Sequence, residues 1–198
     1  MELTKDSVFK NEVRLTDMTA NPGGLGLLAF GMTTIILNMH NAGIFALGSV
    51  VFSMGLFYGG LAQIIAGLME WKKNNTFGMT AFISYGIFWI SLVFLILMPV
   101  WGWGPALSGE ALVCFLGIWG MFSLAMFLIT FRMAKAMQVV FGLLVLLFLL
   151  LIVGNALGNP TILVIAGIEG VLCGLSAVYT GFGQIMNEVW KETVVRLG

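Results

Sequence analysis

Charge is the scarcest property of this chain. Asp, Glu, Lys and Arg together supply 9% of its 198 residues, where a water-soluble domain carries roughly a quarter. The shortfall excludes an ordinary soluble surface. With 60% apolar residues and a mean hydropathy of +1.04, lipid is the cover that so much apolar area requires. Histidine is nearly missing too: His40 stands alone, which removes any His-based metal cluster. Cys114 and Cys173 lie in apolar segments without CxxC spacing and read as small packing residues. Asp occurs only at Asp6 and Asp17, ahead of the first apolar run, so no intramembrane aspartyl pair can form. GxSxG, HExxH, Walker A and GxGxxG sequences are absent as well. The expectation is therefore no enzyme, no metal and no cofactor. Any transport is passive or coupled to an ion gradient. A formal net charge of zero without a basic patch gives no reason to expect nucleic acid as a partner.

What is present is apolar length. A membrane-spanning helix needs about 20 such residues, and six runs supply them: 24–41, 50–69, 79–98, 111–131, 138–155 and 161–181. No strand pattern or long repeat interrupts them. The expected fold is an all-α membrane protein, a six-transmembrane-helix bundle whose short connections make consecutive helices antiparallel neighbours. Every Lys and Arg lies in the amino-terminal stretch, after the second or fourth run, or beyond the sixth. The positive-inside rule then puts both termini in the cytoplasm and the cationic loops against anionic headgroups. The expected division is a cytoplasmic tail at 1–20, a transport domain at 21–187 and a second cytoplasmic tail at 188–198. Residues 1–20 are too acidic for a secretory signal, so the first span reads as uncleaved. Asn21-Pro22 and Asn159-Pro160 each precede a span, with Asn as cap and Pro in the first turn. Trp101 and Trp103 suit one interfacial belt, and Trp71 and Trp190 the other.

Glycine is abundant, with 26 copies, many at spacings such as Gly55/Gly59 and Gly170/Gly174. Small residues four apart let helix backbones touch. Among polar residues inside the spans, Glu169, Cys173, Ser176, Thr180 and Gln184 share one face of the sixth helix, a stripe of ~22 Å. Such a stripe either lines a hydrated path or hydrogen-bonds neighbouring helices. Glu169 lies ~12 Å from the start of that helix. An ionised carboxylate there is costly, so the group is protonated, hydrated or paired. It is a candidate proton site, or else a neutral acid joining two helices. The first helix carries Phe30, Thr34, Asn38 and Asn41 on one face; the third carries Thr80, Ser84 and Ser91 beside Tyr85; Gln63 lies within the second. Neutral hydrogen-bonding groups suit a small polar or anionic solute. A ring of carboxylates would mark a cation pore. His40 ends the first span, as a cap or a pH-sensitive group.

Several short segments together carry a resemblance. Asn21-Pro22-Gly23-Gly24-Leu25-Gly26-Leu27 is similar to the NPAPLGL signature of the acetate/succinate transporter family, which includes bacterial succinate–acetate permeases and fungal acetate or ammonia export proteins. The likeness continues through Phe30 to Thr34, Leu37 to Asn41, Phe57 to Gln63, Glu70 to Gly78, Ser84 to Gly86 and Gly154-Asn155. Gly23-Gly24 depart from Ala-Pro, and Glu169 stands where an apolar or aromatic residue is expected. The resemblance implies a homohexamer with a pore in each protomer and passage of acetate, with succinate as a second solute, by proton symport or a channel-like path in the inner or plasma membrane. It also implies that Phe30, Tyr58, Tyr85 and Leu144 narrow the pore. Thr33, Thr34, Gln63 and Asn155 would bond the carboxylate, and Ala177 would be a wall position bearing on solute size. Lipid, the solute and further copies of the chain are the implied partners. An aquaporin-type neutral-solute channel is the alternative that six spans and two Asn-Pro pairs leave open. A non-transporting scaffold is a third.

Overall fold

In the computed structural model, which describes residues 19–198, six long helices follow one another: α1 (Gly23–Asn41), α2 (Ser49–Lys72), α3 (Thr76–Val100), α4 (Gly109–Thr130), α5 (Lys135–Ala156) and α6 (Pro160–Trp190). All six are long and apolar enough to cross a membrane. All but two residues of the expected 1–20 tail, including Lys5, Lys10 and Arg14, lie outside the described residues. The start of α1 and the end of α6 share one side of the bundle, the terminal side. The connections after α1, α3 and α5 lie on the far side.

Caps explain where several helices begin. The Asn75 side chain accepts from Gly78 N at 3.0 Å, and Ser108 Oγ accepts from Ala111 N at 3.2 Å. Asn159 Oδ1 accepts from the amides of Thr161 and Ile162 at 3.0 and 3.3 Å, with Pro160 in the first turn as expected. At the other Asn-Pro pair the helix starts one residue later. Pro22 precedes Gly23, and Asn21 Oδ1 accepts from Gly23 N at 2.9 Å.

Two features depart from the hydropathy reading. Within α2, residues Met54–Ala62 form a π-helix. Thr33 Oγ1 of α1 donates to Met54 O there at 3.4 Å. The last helix runs to Trp190 instead of stopping near Gly181. At 1.5 Å per residue its 31 residues exceed a ~30 Å hydrocarbon core. The polar end beyond Gly183 is amphipathic, so apolarity fades before the helix does.

Beyond α6 the chain folds back. Asn187 Oδ1 accepts from Val194 N and Val195 N, both at 2.8 Å, its Nδ2 donates to Val195 O at 2.8 Å, and Ala136 N donates to Leu197 O at 2.8 Å. Asn187 thus makes three of the hydrogen bonds that tie the carboxyl-terminal segment down. Asn187→Ala is expected to raise the rate of tryptic cleavage at Lys191 severalfold with the six-helix core left intact. Cleavage at the wild-type rate would show the strap is held by other contacts.

The core is built by α1 packed on α6 and by α3 and α5 beside them. Backbone meets backbone where Gly31 faces Gly174: a Cβ added at Gly174 would lie 2.6 Å from Gly31 O. Facing outward are Ile168, Leu172, Leu175 and Tyr179 of α6 and Ile118 and Met121 of α4, all exposed. This outer apolar surface suits lipid or another copy of the chain.

Candidate transport path

Three cavities succeed one another along the bundle. The terminal-side cavity, of about 170 Å³, is walled by the start of α1 (Gly23, Leu27, Phe30), Gln63 and Glu70 of α2, Asn75, Phe77, Gly78, Ala81, Phe82 and Tyr85 at and within α3, Met133, Met137, Val140 and Phe141 at and within α5, and Gln184. The middle cavity holds about 30 Å³ among Phe30, Thr34, Leu37 and Asn38 of α1, Tyr85, Phe88 and Trp89 of α3, and Leu144, Leu147, Phe148 and Leu151 of α5. The far-side cavity, of about 430 Å³, has Leu37, His40 and Asn41, Leu151 and Asn155, and residues of α3, α4 and α6 in its wall. Phe30 and Tyr85 belong to both the first and second cavities, and Leu37 and Leu151 to both the second and third. The three therefore abut at two narrow collars.

The collar at Phe30 is held rigidly. The Phe30 and Tyr85 rings lie 5.8 Å apart between centroids. Tyr85 O–H pairs with Ser123 Oγ of α4 at 2.9 Å, and Ser123 Oγ donates to Trp119 O at 2.8 Å. Phe122 and Phe141 crowd the same tyrosine at 5.4 and 6.2 Å. A ring fixed by a buried hydrogen bond and edge contacts gives a collar of definite width. Space of about 30 Å³ takes about one water, so a solute that enters the middle segment sheds its hydration shell there.

Polar side chains along this path are mostly bonded to their own helix. Thr34 Oγ1 donates to Phe30 O at 2.8 Å, Asn38 Nδ2 to Thr34 O at 2.9 Å, and Asn155 Nδ2 to Leu151 O at 2.8 Å. Asn41 Nδ2 donates to Asn38 Oδ1 at 3.0 Å, and the His40 ring meets Phe45 O at 3.0 Å through Nδ1. These groups can turn a lone pair or donor toward a solute at the cost of one local bond. Among the described residues, the side-chain atoms buried without any partner are Gln63 Oε1, Trp89 Nε1, Gln184 Oε1 and both oxygens of Glu169. Three of these four residues line the path.

The sequence-derived candidates separate into two groups. Phe30, Thr34, Asn38, Gln63, Tyr85, Leu144 and Asn155 all line a cavity. Of the signature, Asn21, Gly23 and Leu27 face the terminal-side cavity, and Gly24 packs against Ile185 of α6. Pro22, Leu25 and Gly26 shape the opening of α1 without lining it. Thr33, Tyr58, Ala177 and Glu169 line none of the three. Thr33 is turned to the π segment of α2, and Ala177 is fully buried.

The polar stripe of α6 faces inward, yet its hydroxyls serve the helix itself: Ser176 Oγ donates to Cys173 O at 2.6 Å and Thr180 Oγ1 to Ser176 O at 2.7 Å. Of the five, Gln184 lines a cavity. Sequence reasoning gave no path role to Glu70 or Trp89. Glu70 closes α2 beside two lysines, a context that reads as an interfacial charge, yet the structure buries it to 3% exposure.

Known proteins share this fold and much of this sequence. The family model described as the GPR1/FUN34/yaaH family matches residues 10–196. The succinate-acetate/proton symporter SatP of Escherichia coli (strain K12) is 51% identical over 179 residues, 90% of this chain and 95% of that protein. A protein of Methanothermobacter thermautotrophicus is 45% identical over 193 residues, 94% of this chain and 95% of its own length. A solved structure, that of the bacterial acetate channel SatP, superposes with a TM-score of 0.89 at 51% identity, covering 91% of this chain and 99% of that one.

Proposed function

Because the chain belongs to the GPR1/FUN34/yaaH family, we propose that it passes small carboxylates across the inner or plasma membrane, acetate foremost and succinate as a second solute. The route is the succession of three cavities, and the mechanism is proton-coupled or channel-like. The observation that carries this reading is continuity: two shared collars join cavities that together reach from one side of the bundle to the other. The relatives' names, a symporter and a channel, support transport as the activity in place of catalysis.

The side chains suit the task. Helix amides and a positive dipole end at the opening of α1 favour an anion there. Phe30, Tyr85 and Leu144 set the width. Thr34, Asn38, Gln63 and Asn155 offer neutral hydrogen bonds, which replace water around a carboxylate without trapping it as a buried guanidinium would. Thr33, Tyr58 and Ala177 act from behind the wall, holding α1, α2 and α6 in place. Glu169 remains a candidate proton site, buried at 8% exposure with both oxygens unpartnered. Lys72, Lys73, Arg132, Lys135, Lys191 and Arg196 all lie toward the terminal side, which the positive-inside rule assigns to the cytoplasm. A path complete within one chain fits a hexamer with a pore in each protomer, its subunits meeting through the outward apolar faces. On this division residues 1–20 and the strap after α6 are the cytoplasmic ends of a single transport domain.

Radiolabelled acetate uptake into proteoliposomes tests the proposal. Saturable uptake well above empty vesicles, competed by succinate, is expected. Uptake equal to that of empty vesicles would overturn it.

A further inference from the structure

Among the described residues, the terminal-side cavity has one carboxyl group in its wall, and it is more buried than a charge at a helix end should be. Glu70 sits in the last turn of α2, 3% exposed. Asn75 Nδ2 donates to its Oε2 at 2.8 Å. Its Oε1 lies on the other side, toward the start of α1. The position a Cβ would take on Gly23 is 3.2 Å from Glu70 Oε1, 2.7 Å from Gln184 Oε1 and 3.1 Å from Asn21 Oδ1. Three oxygens from α2, α6 and the opening of α1 thus converge on one glycine, and a side chain there would collide with them.

These oxygens differ in what satisfies them. Asn21 Oδ1 accepts from Gly23 N at 2.9 Å. Gln184 Oε1 is buried and has no donor, as is Gln63 Oε1 in the same cavity. Buried acceptors almost always have a partner. A proton on Glu70 Oε1, which borders the same Cβ position as Gln184 Oε1, is a candidate for the missing donor. Among the described residues, the surroundings hold little else that is charged. Lys73, one turn along α2, is the cation acting on Glu70, and its ammonium donates to Thr19 O. Asn75 and Gly78 face it from α3, and Met133 and Met137 complete that wall of the cavity. Glu188 of α6 is engaged with Asn21 N at 3.3 Å.

We propose that Glu70 is the acid–base residue of the carboxylate path. Ionised, it shares a small, partly dehydrated cavity with any incoming carboxylate and repels it. On taking one proton from the terminal-side solution, –COO⁻ becomes –COOH and donates to Gln184 Oε1. A monoanion can then occupy the cavity. Admission of the anion is thereby linked to uptake of one proton. The inference rests on the carboxylate-transport reading and names a residue distinct from Glu169, which lines none of the three cavities.

Acetate flux in proteoliposomes from pH 5 to pH 8 on the terminal side decides it, with wild type, Glu70→Gln and Glu169→Gln side by side. Taking the ratio of variant to wild type at each pH cancels the changing ionisation of acetate itself. Glutamine mimics the protonated side chain, so the Glu70→Gln to wild-type ratio should rise about tenfold from pH 5 to pH 8, as unit charges a few ångströms apart require. Glu169→Gln, at the other candidate proton site, should change the ratio less than Glu70→Gln does. A flat ratio for Glu70→Gln, or a slope carried by Glu169→Gln instead, overturns the proposal. Should Glu70→Gln fail to fold, Gln184→Leu serves. By removing the proton's acceptor it should move the wild-type pH profile to lower pH, and an unmoved profile counts against the proposal. Absence of wild-type flux at every pH would instead defeat the transport reading.

Discussion

Gly174→Ala is expected to destabilise the protein by about 1–3 kcal/mol, the usual cost of overpacking a tight interior. Gly31→Ala should do the same. A Cβ on Gly174 would stand 2.6 Å from Gly31 O, and one on Gly31 would stand 2.7 Å from Gly174 O. Both obstacles are backbone carbonyls, so no rotamer change relieves them and the two helices must part. Membrane helices gain little from the hydrophobic effect against one another, so lost van der Waals contact is not offset. Once α1 and α6 have separated for the first methyl, the second costs less, and the double variant should fall short of additivity. Gly117→Ala is the control, since nothing lies within 4 Å of its added Cβ, and alanine is the better helix former. Thermal unfolding in detergent reads all four variants beside wild type. A Gly174→Ala variant that melts with wild type would mean the two helices are not held by backbone contact.

That contact shows what a sequence can and cannot convey. Six apolar runs separated by short polar connections leave no other arrangement of backbone hydrogen bonds in lipid, so the bundle follows from hydropathy alone. Small-residue spacing announced that some helices pack closely, but not which ones, because glycine at every fourth position says nothing of its partner. The π segment of α2 left no trace in hydropathy, whose window averages over a local change of pitch. Cavity-lining residues were legible where a polar group interrupts an apolar face, as at Thr34, Asn38 and Gln63. The same signal led no further on α6, where Ser176 and Thr180 bond the preceding turn and line none of the three cavities. Glu70 went unnoticed for the opposite reason. A carboxylate next to Lys72 and Lys73 looks solvated, and only the turn at Asn75, bringing α3 back over it, buries it.

Phe30→Trp is expected to lower acetate flux by roughly tenfold or more, because filling a tight segment costs about 1–3 kcal/mol at the step that must pass it. The phenyl ring of Phe30 borders both the terminal-side and the middle cavity, and the latter has only about 30 Å³ to yield. Its opposing wall cannot retreat, since Tyr85 is fixed to Ser123 and wedged among aromatic rings. Phe30→Ala tests the same collar in the other direction. Removing the ring merges the two cavities, so the ratio of succinate to acetate flux should rise severalfold, while acetate flux itself should not fall. Both variants keep every hydrogen bond of the path, because Phe30 contributes to that network only its backbone carbonyl, the acceptor for Thr34. Selectivity that changed in neither variant would place the size filter elsewhere, at the collar of Leu37 and Leu151. A fall in acetate flux with Phe30→Ala would instead mean that the ring guides the solute as well as screening it. The two fluxes together separate width from guidance, which acetate uptake by either variant alone would leave confounded.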